Sequence, residues 1–420
     1  MSALQPTCLR VDLLRSRITG QITSRSPRFS WVVDATHADA SQHAFRLLLA
    51  SSPDLLADDD GDVYDSGRPD FNRAWITDSR SVSVGLDNLE LRPETVYFWK
   101  VMVWLGPSQP SPWSEVSSFT TAAQFSETAV PLVPPIRTRL APQTLVRRND
   151  GTVFVDFGAA AFGTVELVLD APGASVLTVT VGEVLAGPYA VEREPGGSRR
   201  CITVEVPVRP GAQVIAVDLP KDERNTGELA VLLPADLPVV APFRYCEISP
   251  APRALIRNHV RQITFHYPFD EEAASFTSDS PVLNDVWHLC RYSIKATSFT
   301  GMYVDGDRER IPYEADSYIN ALAHFGSDSE YTIARRSIDH LVFCPTWPTE
   351  WHLYLVIAAW TEFLWSGDDR LLRERFDELT AKLLLPLRNA DGLLDTSSVP
   401  EALLESIHFT RRVTEHFSHV

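Results

Sequence analysis

The stretch SPVLNDVWHLCRYSI, residues 280–294, marks the point at which a chain of short strands becomes helical. Its apolar side chains recur at intervals of three and four residues: Val282, Leu283, Val286, Trp287, Cys290 and Ile294. That period is typical of one face of an α-helix. Ser280 and Pro281 are residue types that commonly begin helices. The sequence therefore predicts the first helix of a helical region here.

Five more apolar stripes of the same period follow along the chain. Four of them end at residues that stop helices, which are Gly326, Pro345, Gly367 and Pro386, and the last begins at Pro400. Glycine at a helix C-terminus and proline just beyond it are common terminators. Successive helices joined in this way predict helical hairpins.

The chain before this region has the alternation of β-strands. In TVYFWKVMVW, residues 95–104, one predicted face carries Tyr97, Trp99, Val101 and Val103. The pattern Leu91-x-Pro93-x-x-x-Tyr97 precedes it, and a tyrosine at such a sandwich corner can bond back to the backbone. We therefore predict a fibronectin type III-like β-sandwich over residues 1–121.

Strand patterns resume after a proline-rich stretch, residues 122–136, which we interpret as a linker. Seven further strand-like runs separated by Gly and Pro predict a second, jelly-roll-like β-sandwich over residues 137–270. The helical region then occupies residues 271–420. The predicted fold class is thus multidomain, with two β-sandwich modules ahead of an all-helical domain.

Composition excludes several functions. Hydrophobic residues make up 44% of the chain, which is enough for buried cores and excludes a disordered protein. The net charge of −17 repels phosphate backbones and anionic lipids, so neither nucleic acid nor a membrane is an expected partner. The sequence has no apolar run long enough for a membrane span or a signal peptide, which predicts a cytoplasmic protein.

The cysteines and glycines predict neither a metal site nor a cofactor. The five cysteines lack CxxC spacing and do not resemble a disulfide framework or a zinc site. Phosphate-binding glycine motifs are also absent from the sequence. Neutral ligands such as sugars remain compatible with all of these observations.

The segment MYVDGDRERIPYEAD, residues 302–316, is the richest in chemistry. It holds five carboxylates and two arginines within twelve residues, between two predicted helices. Arginines can keep some carboxylates ionised, while burial keeps a neighbouring carboxyl protonated. A glycosidase needs that division, because one acid protonates the leaving oxygen while others stabilise positive charge. The alternative interpretation is a solvated charge cluster on a loop between helices.

The sequence DGDRERIPYEADSYINALAHFGSD (305–328), followed by ARRSIDHL (334–341) and PTWPTEW (345–351), resembles the α-L-rhamnosidases of glycoside hydrolase family 78. The resemblance implies β-sandwich modules ahead of an (α/α)6 barrel of the six-hairpin glycosidase type. It also implies inverting hydrolysis of terminal α-L-rhamnose from glycosides or polysaccharides.

Matched residue by residue, the family pattern implies that Glu309 is the general acid. Asp316 and, by a looser match, Asp305 would bind hydroxyl groups of the sugar. Arg308 stands where many members have Asp, and Glu314 stands where many have Thr. Both would contact substrate, and Glu314 remains a competitor for the role of acid.

Trp347, Glu350 and Trp351 lie in the loop before the fourth predicted helix. Aromatic faces pack on the C–H surfaces of sugars, and a carboxylate accepts hydrogen bonds from hydroxyl groups. The resemblance makes these three residues candidates for lining the sugar pocket. The alternative is that the tryptophans simply pack in the core at a helix entry.

An (α/α)6 barrel needs twelve helices, and the sequence predicts six. In the family, the general base comes from the later half of the barrel, so we expect a truncated catalytic domain that lacks this base and has uncertain activity. One alternative is a non-catalytic carbohydrate-binding or interaction protein derived from a rhamnosidase. A polysaccharide lyase is a weaker alternative, because the acidic loop does not suit an anionic polymer.

Overall fold

The computed structural model describes residues 5–395 except 16–19, 34–40, 72–77, 107–109, 127–129 and 348. The chain divides into two compact units. Unit 1 comprises residues 1–134 together with 329–420, and unit 2 comprises residues 135–328. The predicted helix that begins at Pro400 lies outside the described residues.

The first part of unit 1 is a β-sandwich. Its described elements are β1 (Pro6–Val11), β2 (Leu14–Arg15), β3 (Gln21–Ile22), β4 (Phe29–Val33), β5 (Ala44–Ala50), α1 (Pro53–Ala57), β6 (Tyr64–Asp65), β7 (Val96–Trp104) and β8 (Ser117–Thr121). One sheet has the order β2-β1-β4 and the other the order β3-β8-β7-β5-β6. Phe29 of the first sheet packs edge-on against Trp99 of the second, with ring centroids 5.0 Å apart. The two sheets therefore enclose a shared core.

The predicted face of β7 and the predicted corner are confirmed. Tyr97, Trp99, Val101 and Val103 are all buried. The hydroxyl group of Tyr97 accepts a hydrogen bond of 2.8 Å from the backbone N–H of Arg92. That bond is the tyrosine corner typical of sandwich domains, and it fixes the turn that leads into β7.

The second part of unit 1 is helical. Its helices are α4 (Thr332–Phe343), α5 (His352–Ser366), α6 (Arg370–Glu374) and α7 (Phe376–Ala381). Gly367 ends α5 at a φ of 68°, as its position in the sequence predicts. The single stripe predicted before Pro386 is instead two short helices separated at Arg375. The guanidinium of Arg375 bonds Asp339 of α4 at 2.8 Å, and this tertiary contact coincides with the break.

A network of buried charges ties this helical part of unit 1 to its first strands. We call Asp12, Arg335, Glu362, Asp368 and Arg370 the buried ion network, since each is less than a tenth exposed. Arg335 bonds Glu362 at 2.8 Å and Asp368 at 2.9 Å. Arg370 contacts Asp368 and also lies 2.7 Å from Asp12, which follows β1.

Unit 2 begins with a second antiparallel β-domain. Its strands are β9 (Ile136–Leu140), β10 (Thr144–Arg147), β11 (Val153–Ala171), β12 (Ser175–Gly182), β13 (Leu185–Gly187), β14 (Ala190–Val191), β15 (Cys201–Val208), β16 (Gly211–Ala216), β17 (Ala241–Ser249) and β18 (Val260–His266). The main sheet has the order β15-β12-β17-β11-β18-β9, and β10 and β16 also pair with β11. This arrangement covers a core rich in valine and leucine.

The 19-residue strand β11 organises this domain. Its first residues pair with β10 and β17, and its last residues pair with β18 and β16. The pairing shifts between Asp156 and Ala161, where Gly158 has a φ of +92°. A glycine tolerates that conformation, so one strand bends and serves two sets of partners.

Two helices complete unit 2. The first, α2 (Pro281–Thr297), begins at Pro281 with Ser280 as its N-cap residue, as predicted. The second, α3 (Glu314–Phe325), ends at Gly326, also as predicted. Neither these helices nor any other in the described ranges combines the length and apolar character needed to cross a bilayer.

Candidate active site

The acidic segment forms a closed loop between α2 and α3. The backbone N–H of Asp305 donates to the carbonyl of Ile311 at 3.1 Å, and the N–H of Ile311 donates back to Oδ1 of Asp305 at 3.2 Å. Gly306 and Arg310 have φ values of 88° and 57°, which turn the chain within this closure. Pro312 keeps the preceding residue out of the helical region, so α3 begins only at Glu314.

Asp307 and Arg310 hold the loop in place from its buried side. Both are buried, and Nη2 of Arg310 lies 2.7 Å from Oδ1 of Asp307. The same nitrogen donates to the carbonyl of Val240 at 2.7 Å, and the guanidinium lies 5.3 Å from the ring centre of Phe299. The loop is therefore pinned at two points, on either side of Arg308 and Glu309.

Glu309 projects from the loop with its side chain 38% exposed. The hydroxyl group of Tyr313 donates to its Oε2 at 2.6 Å, and Nη2 of Arg308 lies 3.3 Å from the same atom. Burial, and after it the hydrogen bond to Glu309, raise the pKa of Tyr313 to about 12. Tyr313 thus remains a protonated donor at neutral pH, and it orients this carboxylate.

Asp305 and Asp316 have raised pKa values. Burial is the largest cause for both carboxyls. The charge of Glu309 raises the pKa of Asp305 further, and the charge of Asp305 does the same for Asp316. Arg308 opposes both shifts, and its Nε lies 3.2 Å from Oδ2 of Asp305. Three carboxyls therefore share one arginine, and we call Asp305, Arg308, Glu309, Tyr313 and Asp316 the candidate-site cluster.

Glu314 occupies a different environment from Glu309. It is the first residue of α3, and its side chain is fully buried. A general acid must reach the oxygen of the leaving group within hydrogen-bonding distance. Of the two glutamates that compete for this role by sequence, only Glu309 has exposed surface through which substrate could reach it.

Trp347, Glu350 and Trp351 belong to unit 1. Trp347 is 55% exposed and Glu350 is exposed, whereas Trp351 is half-buried just before α5. An exposed tryptophan and an exposed carboxylate are the kinds of side chain that can contact a sugar ring. Their part in binding substrate stays a prediction.

Several residues around the loop were not assigned a role from the sequence. Tyr313 lies in the matched motif, and the sequence alone assigns it no role, although it donates to Glu309. For Asp307 and Arg310, the sequence indicates only that they belong to an acidic, arginine-containing loop. Their burial depends on residues far away in the chain, such as Val240, so local sequence carries no sign of it. Among the residues that the structure describes, no group of three His, Cys, Asp or Glu side chains is placed to hold a metal ion.

Known domain families match both ends of the chain. Residues 7–124 match the Rha78A-like N-terminal immunoglobulin domain, and residues 271–398 match the bacterial α-L-rhamnosidase six-hairpin glycosidase domain. The first module is thus described as immunoglobulin rather than fibronectin type III, and both are sandwiches of antiparallel sheets.

Individual relatives agree with these matches. An α-L-rhamnosidase of Formosa agariphila is 39% identical over 98 residues, which cover 23% of this chain and 10% of the relative. The solved α-L-rhamnosidases of Dictyoglumus thermophilum and Aspergillus terreus superimpose with a TM-score of 0.68 each at 12% identity. These two matches cover 91% and 94% of this chain, and 65% and 67% of those proteins, respectively.

The β-domains ahead of helical hairpins define a multidomain protein of the six-hairpin glycosidase class. Within that class, the two matched domains are those of bacterial α-L-rhamnosidases, which confirms the resemblance to glycoside hydrolase family 78 that the acidic loop predicts. The aligned segments span only a small part of the curated relatives' length.

Proposed function

We propose that this protein is a glycosidase that hydrolyses terminal α-L-rhamnosides, with Glu309 as the general acid. The observation that carries the proposal is the environment of Glu309. Its carboxylate is part-exposed on a pinned loop and is oriented by Tyr313 at 2.6 Å. The fully buried Glu314 lacks such access, so we assign the acid to Glu309.

The neighbouring carboxyls suit the binding of sugar hydroxyl groups. Oδ2 of Asp305 is buried and has no hydrogen-bond partner among the residues that the structure describes, although Arg308 pairs with it electrostatically. A carboxylate oxygen of this kind has acceptor capacity left for a hydroxyl group. We propose that Asp305 and Asp316 hold the ring hydroxyls, and that Arg308 limits the repulsion among the three acids.

The family resemblance favours an inverting mechanism. In that mechanism one carboxyl protonates the leaving oxygen, and a second carboxylate activates water about 6.5–9.5 Å away. We assign Glu309 to the first role and give the second role to no residue among those described. Trp347, Glu350 and Trp351 are proposed as further sugar contacts, on the exposure of the first two.

The test is to incubate the purified chain with an aryl α-L-rhamnoside and to follow phenol release over many turnovers. On an aryl rhamnoside whose phenol is a poor leaving group, the variant Glu309→Gln should lower turnover by about 10²–10⁴-fold. Glu228→Gln, the same change at an exposed glutamate of unit 2, should leave turnover intact. The anomer released first, observed by proton NMR, should have the opposite configuration to the substrate. Absence of turnover in the unaltered chain would contradict the proposal, and rhamnose binding without turnover would support a non-catalytic sugar-binding protein.

A further inference from the structure

Arg200, a residue of the β-domain of unit 2, contacts the acidic loop at Asp307. This residue immediately precedes β15, and only 5% of its side chain is exposed. Its Nε contacts the carboxylate of Asp307, and its Nη2 donates to the backbone carbonyl of Asp307 at 3.0 Å. Its Nη1 contacts the carboxylate of Asp222. The guanidinium therefore contacts the loop twice, both times at Asp307, and contacts the β-domain once, at Asp222.

A second group of the β-domain converges on the same carboxylate. Asp222 caps a 3₁₀ turn (Glu223–Asn225), and Nδ2 of Asn225 donates to Oδ1 of Asp307 at 3.0 Å. Arg310 donates to that oxygen as well. Asp307 thus has three partners, of which two come from outside the matched six-hairpin segment.

The buried charges leave the loop little freedom. A buried carboxylate without partners has a much higher free energy than a solvated one. Asp307 therefore stays within reach of its hydrogen-bond donors. Glu309 follows Asp307 by two residues, and Arg310 is fixed to the same carboxylate. The direction in which the Glu309 side chain projects is therefore set by the position of Asp307.

We propose that Arg200 is a positioning residue for Glu309, so that the β-domain is a working part of the active site. This inference rests on the proposed function, in which Glu309 is the acid. Lysine cannot replace the arginine here, because a single ammonium group cannot bond Asp222, the Asp307 carboxylate and the Asp307 carbonyl with the geometry of the planar fork.

The experiment compares Arg200→Lys and Arg200→Gln in the full chain with Arg199→Gln. Arg199 is the exposed neighbour of Arg200 and bonds only Gly196 among the contacts described for its side chain, so it supplies the same loss of charge away from the loop. The first readout is the ¹³Cζ resonance of Tyr313 at neutral pH, which reports its hydrogen bond to Glu309. Glu309→Gln gives the position of that resonance when the carboxylate is lost, and Tyr313→Phe identifies the signal.

We expect both Arg200 variants to move the Tyr313 resonance toward its position in Glu309→Gln, and to speed hydrogen exchange of residues 305–311. On rhamnosides with poor leaving groups, kcat should fall by about 10²-fold, as for a misplaced catalytic group, with less change in KM. Arg199→Gln should match the unaltered chain in each measurement.

Two results separate this inference from the proposed function. If the unaltered chain turns over no rhamnoside, the proposed function fails, while the Tyr313 resonance and the exchange rates still test the positioning of the loop. If the Arg200 variants lower the melting temperature but leave the Tyr313 resonance and the exchange of the loop unchanged, Arg200 is only structural and the inference is overturned. Arg200→Lys retains a cation for the buried carboxylates, so it remains informative if Arg200→Gln does not fold.

Discussion

The buried ion network of unit 1 and the candidate-site cluster of unit 2 contain the same residue types in opposite conditions. In the network, two arginines serve three carboxylates, and every member is less than a tenth exposed. In the cluster, one arginine serves three carboxyls, and both Arg308 and Glu309 reach solvent. The network therefore neutralises most of its charge internally, whereas the cluster leaves carboxyls available to a ligand.

The pKa of Asp368 expresses the same difference, whereas burial raises the pKa values of Asp12 and Glu362 in the network. Arg370 and Arg335 hold the pKa of Asp368 well below its usual range, although burial opposes them. No such depression occurs at Asp305 or Asp316, where burial raises both values and Arg308 only limits the rise. Asp368, which pairs with two arginines, thus stabilises the fold as a carboxylate, whereas Asp305 and Asp316 share one arginine at the candidate site.

The largest expected effect is on catalysis by Glu309. Glu309→Gln should lower kcat by about 10²–10⁴-fold on rhamnosides with poor leaving groups, because protonation of the leaving oxygen is lost. On activated aryl rhamnosides, which need little protonation, the loss should be much smaller. Equal losses on the two substrates would move the role of acid away from Glu309.

The next largest effect is expected on the stability of the protein, when a member of the buried ion network is replaced. Asp368→Asn should lower the free energy of unfolding by about 3–5 kcal/mol, since it leaves two buried arginines short of a partner. Glu362→Gln should cost clearly less, because burial raises the pKa of Glu362 and its ionised form is already disfavoured. Urea unfolding at pH 7 measures both, and a larger loss for Glu362→Gln would contradict this ranking.

Removing a charged carboxyl from the candidate-site cluster should raise the stability of the protein, whereas removing Asp368 from the network should lower it. The folded state raises the pKa of Asp316 above 3.8, so it binds the proton more tightly than the unfolded chain does. The contribution of Asp316 to stability therefore declines as the pH rises from 3.8 through the raised pKa. Asp316→Asn should make the chain slightly more stable at pH 7, with a difference that disappears below pH 3.8.

The measurement is urea unfolding of both proteins across that pH range, judged by the transition midpoint. Solvent screens this part-exposed carboxyl, so the gain is smaller than the effects in the network. A loss of stability in Asp316→Asn that widens with rising pH would show that Asp316 is a paired acid like Asp368.

The smallest effect is expected at an exposed pair on the helix that carries Arg370. Arg373 bonds Asp369 at 2.7 Å, but the arginine side chain is 77% exposed. Arg373→Gln should change the free energy of unfolding by no more than about 0.5 kcal/mol, as is usual for surface pairs one helical turn apart. A loss as large as that of Asp368→Asn would mean that burial does not separate the two kinds of pair.

Local sequence predicts the elements of this protein better than it predicts the contacts between them. The start of α2 follows from Pro281, and the ends of α3 and α5 follow from Gly326 and Gly367, because capping depends on neighbouring residues. The corner at Tyr97 follows from spacing within seven residues. The break at Arg375 does not, because it accompanies a bond to a different helix.

The candidate site divides in the same way. The acidic loop and its family resemblance can be recognised from the sequence because the residues that carry them lie in one short segment. The anchoring of Asp307 by Arg200 joins residues 107 positions apart, and the pair of Asp12 and Arg370 spans most of the chain. Long-range partners of this kind leave no periodic pattern, so a single sequence does not reveal them.

The distance along the chain between Arg200 and Asp307 also has a consequence for the order of folding. Helices such as α3 form from local contacts within microseconds, but β11 pairs with strands that lie up to about 100 residues later. At about 5–20 residues per second of synthesis, the 107 positions between Arg200 and Asp307 take about 5–20 s to emerge. Arg200 therefore has no contact with Asp307 during this interval. The acidic loop can reach its final conformation only after β11 has paired with its neighbouring strands. In a newly made chain, the loop that carries Glu309 therefore needs both the folded β-domain and the later arrival of Asp307.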